Sequence, residues 1–199
     1  MSRDIYRLLA ARRMCRAYQP REVPREVLSR VLDAARKSPS AGHAQGLRFG
    51  VVEHPSTRER IARALGEDAY LQRGFPPWLS AAPVHILAGV CSSSYSERYA
   101  EPDKVTSPEE WPVPYEILDA GKALMALYLA AEEEGLGCGY LGPHVASPAL
   151  LEVDWPSEWR LVGLVTVGYP DPSRQRPSRS HQRGWRPFDE MVRWMGDEP

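Results

Sequence analysis

The chain has 199 residues, of which 43% are hydrophobic and 26% charged, a composition that excludes a disordered, collagenous or coiled-coil protein. At this length, one domain over residues 1–199 is the expectation. The net charge of −1 conceals two arginine-rich ends, because residues 1–21 carry six arginines and one acid while residues 174–186 carry five arginines and no acid. The rest of the chain is acidic, which argues against nucleic acid as a partner.

The N-terminus reaches charge at once and lacks the apolar core of a signal peptide. The longest uncharged stretch, residues 74–96, is interrupted by three prolines, so no membrane span is predicted. We therefore expect a cytoplasmic protein. Its three cysteines are widely spaced and its five histidines form no ligand-like pair, so free thiols and no metal site are expected.

The hydrophobic pattern of the first half predicts three helices and two strands. In chain order these are helices over residues 3–13 and 25–37, a strand over 47–53, a helix after Ser56 and Thr57 that ends before Gly66, and a strand over 84–90. Residues 92–114 are rich in serine, proline and charge without periodicity, which indicates a lid or a binding loop.

The second half begins with a helix over residues 115–134 that is apolar around much of its circumference and so belongs in the middle of a fold or an interface. A glycine-rich run over 135–143 predicts a strand, and 159–169 is the strongest strand pattern in the chain. An arginine-rich extension over 171–199 follows, with a short amphipathic piece around Phe188. Few strands among many helices indicate an α+β fold.

Several kinds of catalytic site are disfavoured. No Gly-x-Ser-x-Gly turn of a hydrolase occurs, and the glycines at 135–139 are not followed by the helix that a dinucleotide-binding fingerprint requires. Two segments remain, Arg12-Arg13-Met14-Cys15-Arg16 and Pro39-Ser40-Ala41-Gly42-His43-Ala44-Gln45. Arginine presents a planar fork of donors that suits phosphate and carboxylate groups, although a solvated helix end would also place arginines here.

These two segments resemble the FMN-dependent nitroreductase superfamily, which has Arg-Arg-Ser-x-Arg at the first place and Pro-Ser-x-x-Asn-x-Gln-Pro-Trp at the second. Runs at 119–125, 134–140 and 184–188 are also similar, so the resemblance extends from about residue 5 to residue 195. It implies a small, mostly antiparallel sheet surrounded by helices. It further implies a homodimer in which the C-terminal extension wraps around the partner subunit.

The resemblance also implies a cofactor site for FMN. Arg12 is expected to hold phosphate or ribityl oxygens and Arg16 the N1/O2 edge of the ring, with Arg13 and Met14 nearby. The other expected contacts are Pro39, Ser40, Ala41 and His43 from the other subunit, backbone N–H groups of Leu141 and Gly142 near N5, and Arg183 or Arg186 over the phosphate. This chain departs from the pattern at Met14, at His43 and at Gly46-Leu47, where the family has serine, asparagine and Pro-Trp. No side chain is singled out as catalytic.

The function implied is that of an FMN-dependent oxidoreductase that takes electrons from NADH or NADPH. It would pass them to a nitro, quinone or other unsaturated small-molecule acceptor by alternate half-reactions. Three alternatives stay open: a biosynthetic dehydrogenase, a synthase that fragments FMN to form the lower ligand of cobalamin, and a flavin binder without enzymatic activity. The acceptor and the choice of nicotinamide are not specified.

Overall fold

The computed structural model of the chain describes residues 4–176 and 183–196, and these form eight α-helices and four strands. The helices are α1 (Ile5–Ala11), α2 (Arg25–Arg36), α3 (Pro55–Ala64), α4 (Glu67–Gln72), α5 (Ser93–Tyr99), α6 (Tyr115–Glu133), α7 (Pro143–Ala146) and α8 (Phe188–Met191). The strands are β1 (Leu47–Val52), β2 (Val84–Cys91), β3 (Gly137–Leu141) and β4 (Trp159–Gly168). Short 3₁₀ turns lie at Ala41–His43, Pro108–Glu110 and Ser147–Glu152.

The four strands form one sheet in the order β1-β2-β4-β3, and every neighbouring pair is antiparallel. One row of paired residues across it is Val51, Ile86, Val165 and Tyr140. The predicted α+β fold with a small antiparallel sheet among helices is confirmed. All four strands fall where the hydrophobic pattern placed them, with ends that differ by one or two residues.

Helices cover both faces of the sheet, which explains why β2 is buried along its whole length. One face packs against α6, which in turn packs against α2, and Ile86, Leu127 and Val31 belong to the same main hydrophobic core. The opposite face buries Leu87 and Leu164 against α3 and the turn at 147–152. Because α6 contacts both the sheet and α2, it needs apolar residues around more of its circumference than a surface helix does.

The first helix is shorter than predicted. It ends at Ala11, since Arg12 has an extended backbone with ψ of 124°, and the chain then pairs with other strands. The N–H of Cys15 donates to the carbonyl of Cys138 on β3 at 2.7 Å, and that of Gln19 donates to the carbonyl of Tyr169 at 2.9 Å. The prediction of helix through residue 13 is therefore wrong, because pairing with residues far along the chain outweighs local helix propensity.

Residues 92–114 contain regular structure that their lack of periodicity did not indicate, and their role as a lid or binding loop stays a prediction. The segment begins with α5 and, together with the first residue of α6, forms a cluster of four aromatic rings, whose contacting centroids are 4.7–6.2 Å apart. These rings belong to Tyr95, Tyr99, Trp111 and Tyr115. The short helix α4, which lies between two glycines with positive φ, Gly66 and Gly74, was not predicted either.

Within the described ranges 4–176 and 183–196, no helix is both long enough and apolar enough to cross a membrane.

Two leucines allow the core assignment to be tested. Leu164 on β4 is fully buried, whereas Leu151 is 88% exposed. We expect Leu164→Ala to lower the free energy of unfolding by about 2–5 kcal/mol, because the substitution removes buried methyl groups and leaves a cavity. Leu151→Ala is expected to change it by less than about 0.5 kcal/mol. Urea unfolding followed by circular dichroism measures both, and equal losses would contradict this packing.

Candidate functional site

The arginine segment runs in extended conformation along β3. Cys15 and Ala17 are buried, while Met14 is half-buried and Arg16 is exposed, which is the alternation expected of a strand. Arg16 thus lies on the outer face because of strand periodicity, not because of the helical spacing that the sequence suggested.

The three arginines of this segment differ in their partners. Arg13 is exposed and donates to the carbonyls of Ala10 and Arg12 at 2.5 and 2.9 Å. The Nε of Arg12 is buried and has no hydrogen-bond partner. The guanidinium of Arg16 lies 5.6 Å from the centre of the Trp78 ring. Arg12 and Arg16 therefore keep guanidinium donors for a ligand, whereas Arg13 uses donors on its own backbone.

Arg16 lines a cavity of about 310 Å³, a size within the range of small-molecule sites. Leu141 and Gly142, at the end of β3 and the start of α7, line the same cavity. The remaining lining residues are Leu65, Gly66, Glu67, Tyr70, Trp78, Leu79, Tyr140 and Val145. The structure therefore brings together three of the predicted site residues from distant parts of the chain.

Glu67 organises one wall of this cavity. Its carboxylate is buried and accepts backbone hydrogen bonds from Trp78 at 2.8 Å, Leu79 at 2.7 Å and Ser80 at 3.1 Å. These bonds fix Trp78 beside the guanidinium of Arg16. The sequence did not single out Glu67, since nothing in it distinguishes this carboxylate from that of Asp68.

His85 lies behind the same wall. Its side chain is fully buried on β2, and its Nε2 lies 2.8 Å from the carbonyl oxygen of Leu79. Nδ1 has no partner. Burial is the main cause that lowers the pKa of His85 from 6.5 to about 4, and the nearby Arg58 cation acts in the same direction, so the imidazole is neutral near pH 7. Glu67 and His85 together hold the N–H and the carbonyl of Leu79.

The second predicted segment, residues 39–45, forms a strained turn. Gly42, His43 and Gln45 have φ values of 60°, 60° and 51°, a backbone region that residues other than glycine rarely adopt. The hydroxyl of Ser40 accepts a hydrogen bond from the Gln45 N–H at 3.0 Å. His43 is exposed, so the turn presents this side chain outward. Strain that is kept at an exposed position is typical of functional loops.

Asp119 on α6 holds this turn in place. The carboxylate is 1% exposed and accepts hydrogen bonds from the Ala41 N–H at 2.8 Å, the Tyr95 hydroxyl at 3.0 Å and the Lys122 ammonium at 2.8 Å. Arg98 on α5 donates to the carbonyl of Gly42 at 2.8 Å. Two charged side chains thus fix the backbone at Ala41 and Gly42, where the strained turn begins.

The other predicted residues do not meet in this cavity. Pro39, Ser40, Ala41 and His43 are absent from its lining. Arg183 and Arg186 are exposed, and Arg186 lies 3.7 Å from the Glu190 carboxylate. Residues 177–182 of the arginine-rich stretch, including Arg179, lie outside the described residues. The roles of these residues toward a flavin stay predictions.

In the part of the chain that the structure describes, no group of three or more His, Cys, Asp and Glu side chains is placed so that it could hold a metal ion. The three cysteines are buried as free thiols, and burial raises the pKa of Cys15.

The neutral state of His85 predicts a pH dependence of stability. Since its folded pKa is about 4 and its unfolded pKa about 6.5, the unfolded chain binds an extra proton between these values, so stability is lost as pH falls through this window. From pH 6.5 to 5, the titration of this group should remove about 1–2 kcal/mol of stability. We expect urea unfolding of His85→Gln to show a correspondingly smaller loss over the same interval. An equal loss in both proteins would contradict the assignment.

Comparisons with known proteins agree with this arrangement. The model of the Nitroreductase family matches residues 9–169. Iodotyrosine deiodinase of Thermotoga neapolitana is 29% identical over 88% of this chain and 94% of that protein. The 5,6-dimethylbenzimidazole synthase of Rhodospirillum rubrum is 30% identical over 87% of this chain and 85% of that protein.

A crystal structure of oxidised iodotyrosine deiodinase, bound to FMN and 3-iodo-L-tyrosine, is 26% identical over 88% of this chain and 95% of that chain, with a TM-score of 0.65. The match to iodotyrosine deiodinase 1 of Sus scrofa covers only 28% of that longer protein. Since the family model spans most of the chain, from the arginine segment to the end of the sheet, the protein belongs to the Nitroreductase family.

Proposed function

We propose that this protein is an FMN-dependent oxidoreductase that takes electrons from NADH or NADPH and delivers them to a small unsaturated acceptor, such as a nitro compound or a quinone. The observation that carries the proposal is the buried, unpartnered Nε of Arg12, on the segment whose Arg16 lines the cavity. The similar deiodinase structure, which contains FMN, supports this choice of cofactor.

The residues of this chain fit an FMN cofactor. Buried polar atoms in proteins nearly always have a partner, so the bare Arg12 Nε indicates that an acceptor is supplied by something other than the described chain. No ion-pair partner of Arg12 occurs among residues 4–176 and 183–196. A phosphate dianion would satisfy both the charge and the donor, since guanidinium groups bind phosphate with strong, charge-assisted hydrogen bonds.

The chain's own residues would divide the work of binding. Arg12 would hold the phosphate or ribityl oxygens, and the Arg16 cation would favour negative charge at the N1/O2 edge of the ring. Backbone N–H groups of Leu141 and Gly142 would face N5, and the turn at 39–43 would approach from the partner subunit. When bound, FMN supplies hydride and electron transfer, while these residues position and tune it.

A second candidate is a specialised reaction of the same cofactor. It is favoured by the 30% identity to a 5,6-dimethylbenzimidazole synthase over most of both chains. Visible spectra during aerobic turnover separate the two: flavin bands that stay constant oppose fragmentation of FMN, while bands that disappear favour it. Flavin that nicotinamides do not reduce would instead indicate a binder without this activity.

A homodimer is part of the proposal, and exposed apolar side chains support it. Ile117 and Leu118 on α6 are 37% and 49% exposed. Along the C-terminal extension, Trp185, Phe188 and Trp194 are 93%, 69% and 76% exposed. Apolar surface of this kind on a helix and on an extension is typical of an interface that a second copy covers.

The role of Arg12 can be tested by substitution. We expect Arg12→Ala to weaken FMN binding by about 10–100-fold, because a hydrogen bond to a charged group contributes about 1.5–3 kcal/mol. Arg12→Lys keeps the positive charge but lacks the planar fork of donors, so its affinity for FMN should lie between those of wild type and Arg12→Ala. The matched control is Arg63→Ala, an exposed arginine in the last turn of α3. Titration of apoprotein with FMN, followed by flavin fluorescence, measures each affinity.

Unchanged affinity in folded Arg12→Ala would overturn this assignment, as would an equal loss in Arg63→Ala. A wild-type apoprotein that binds no FMN would overturn the proposed function itself.

The dimer is tested by sedimentation. At micromolar concentration the protein should have about twice the chain mass of 22.4 kDa. Ile117→Glu should weaken the dimer, because the substitution places a charge on the apolar face of α6, while Val105→Glu, at a position 97% exposed in the loop before α6, should leave it unchanged. A folded monomer with bound flavin would contradict the proposal.

A further inference from the structure

The side-chain amide of Gln175 bridges two residues of the arginine segment. Its Oε1 accepts a hydrogen bond from the Arg16 N–H at 3.1 Å, and its Nε2 donates to the Met14 carbonyl at 3.1 Å. A residue on a neighbouring parallel strand pairs in this way, accepting from one residue and donating to the carbonyl two positions earlier. The side-chain amide of Gln175 thus takes the place of a neighbouring strand along the edge of the segment that faces away from β3.

The opposite edge of the segment is held by β3, where the Cys15 N–H donates to the carbonyl of Cys138. Residues 14–16 therefore lie between a strand of the sheet and one glutamine. On the edge of the segment that faces away from β3, the Gln175 amide is the group that fixes the backbone at Arg16. The direction in which the Arg16 side chain leaves the segment therefore depends on Gln175.

Gln175 belongs to the start of the C-terminal extension. The N–H of Asp171 donates to the Ala17 carbonyl at 3.0 Å, and the N–H of Gln175 donates to the carbonyl of Asp171 at 3.1 Å. This turn places the glutamine beside the arginine segment. Farther along the same extension lie the exposed apolar residues Trp185, Phe188 and Trp194.

We infer that Gln175 is a positioning residue that acts through Arg16, so that FMN binding depends on how the base of the C-terminal extension is seated. The inference rests on the proposed function. It assigns to the extension a role in the site of its own subunit, beside any contact with a partner.

The test compares two glutamines that join the same two segments. Gln19 donates from Nε2 to the Pro170 carbonyl at 2.8 Å, but its side chain does not bond to residues 14–16. We expect Gln175→Ala to weaken FMN binding about 3–10-fold, the effect of losing two exposed hydrogen bonds, and Gln19→Ala to change it less than twofold. Flavin fluorescence during titration of the apoproteins measures both.

The midpoint potential of bound FMN and a double mutant of Gln175 and Arg16 distinguish a positioning role of Gln175 from an effect on stability alone. Gln175→Ala should lower the midpoint potential of bound FMN, in the same direction as Arg16→Ala, because the cation that favours negative charge on the ring is displaced. In an Arg16→Ala background, Gln175→Ala should have no further effect on the potential, since its effect passes through that guanidinium. Gln19→Ala should leave the potential unchanged.

Equal affinity and potential in Gln175→Ala and wild type would overturn the inference, as would an undiminished effect in the Arg16→Ala background. Hydrogen exchange of the Arg16 amide in apoprotein tests the contact without flavin, and faster exchange is expected in Gln175→Ala than in Gln19→Ala. If wild-type protein binds no FMN, the proposed function fails, whereas the amide exchange still decides whether Gln175 holds the segment. Equal exchange in the two variants would overturn that contact.

Discussion

The site depends on one constraint: residues 12–19 must run extended between β3 and the chain that follows β4. Backbone bonds from Cys15 to Cys138 and from Gln19 to Tyr169 enforce it. Once this segment is extended, Cys15 and Ala17 enter the core and Arg16 lines the cavity. The position of the arginine is thus a consequence of sheet pairing, which explains why a cation can be held at a defined place on the surface.

Buried polar groups supply the rigidity of the opposite wall. Glu67 accepts a hydrogen bond from the Leu79 N–H, and His85 donates one to the Leu79 carbonyl. Leu79 can therefore move only if two buried hydrogen bonds are broken. Leaving such groups without partners costs about 1–3 kcal/mol each. The wall that bears Trp78 is therefore preorganised. At the turn 39–45, Asp119 and Arg98 similarly hold a backbone that local preferences disfavour.

Much of the fold could be predicted from the sequence, because β2, β4 and α6 are buried and carry long apolar patterns. Family motifs located Arg16, Leu141 and Gly142, which the fold does bring together. The end of α1 could not be predicted, since residues 12–14 favour helix locally and only pairing with Cys138 makes them extended. Glu67 and Gln175 were missed because each acts through backbone groups that only the folded chain brings near.

The proposed FMN site depends above all on an interaction between the phosphate of the flavin and the arginines of this chain. The most direct measurement compares the dissociation constants of FMN and riboflavin for the wild-type apoprotein, because the two ligands differ only in the phosphate. We expect FMN to bind at least about 100-fold more tightly than riboflavin, and we expect rising salt to reduce this difference in affinity, because the contacts are charge-assisted. Equal affinity for the two flavins, or no affinity for either, would contradict the proposed site.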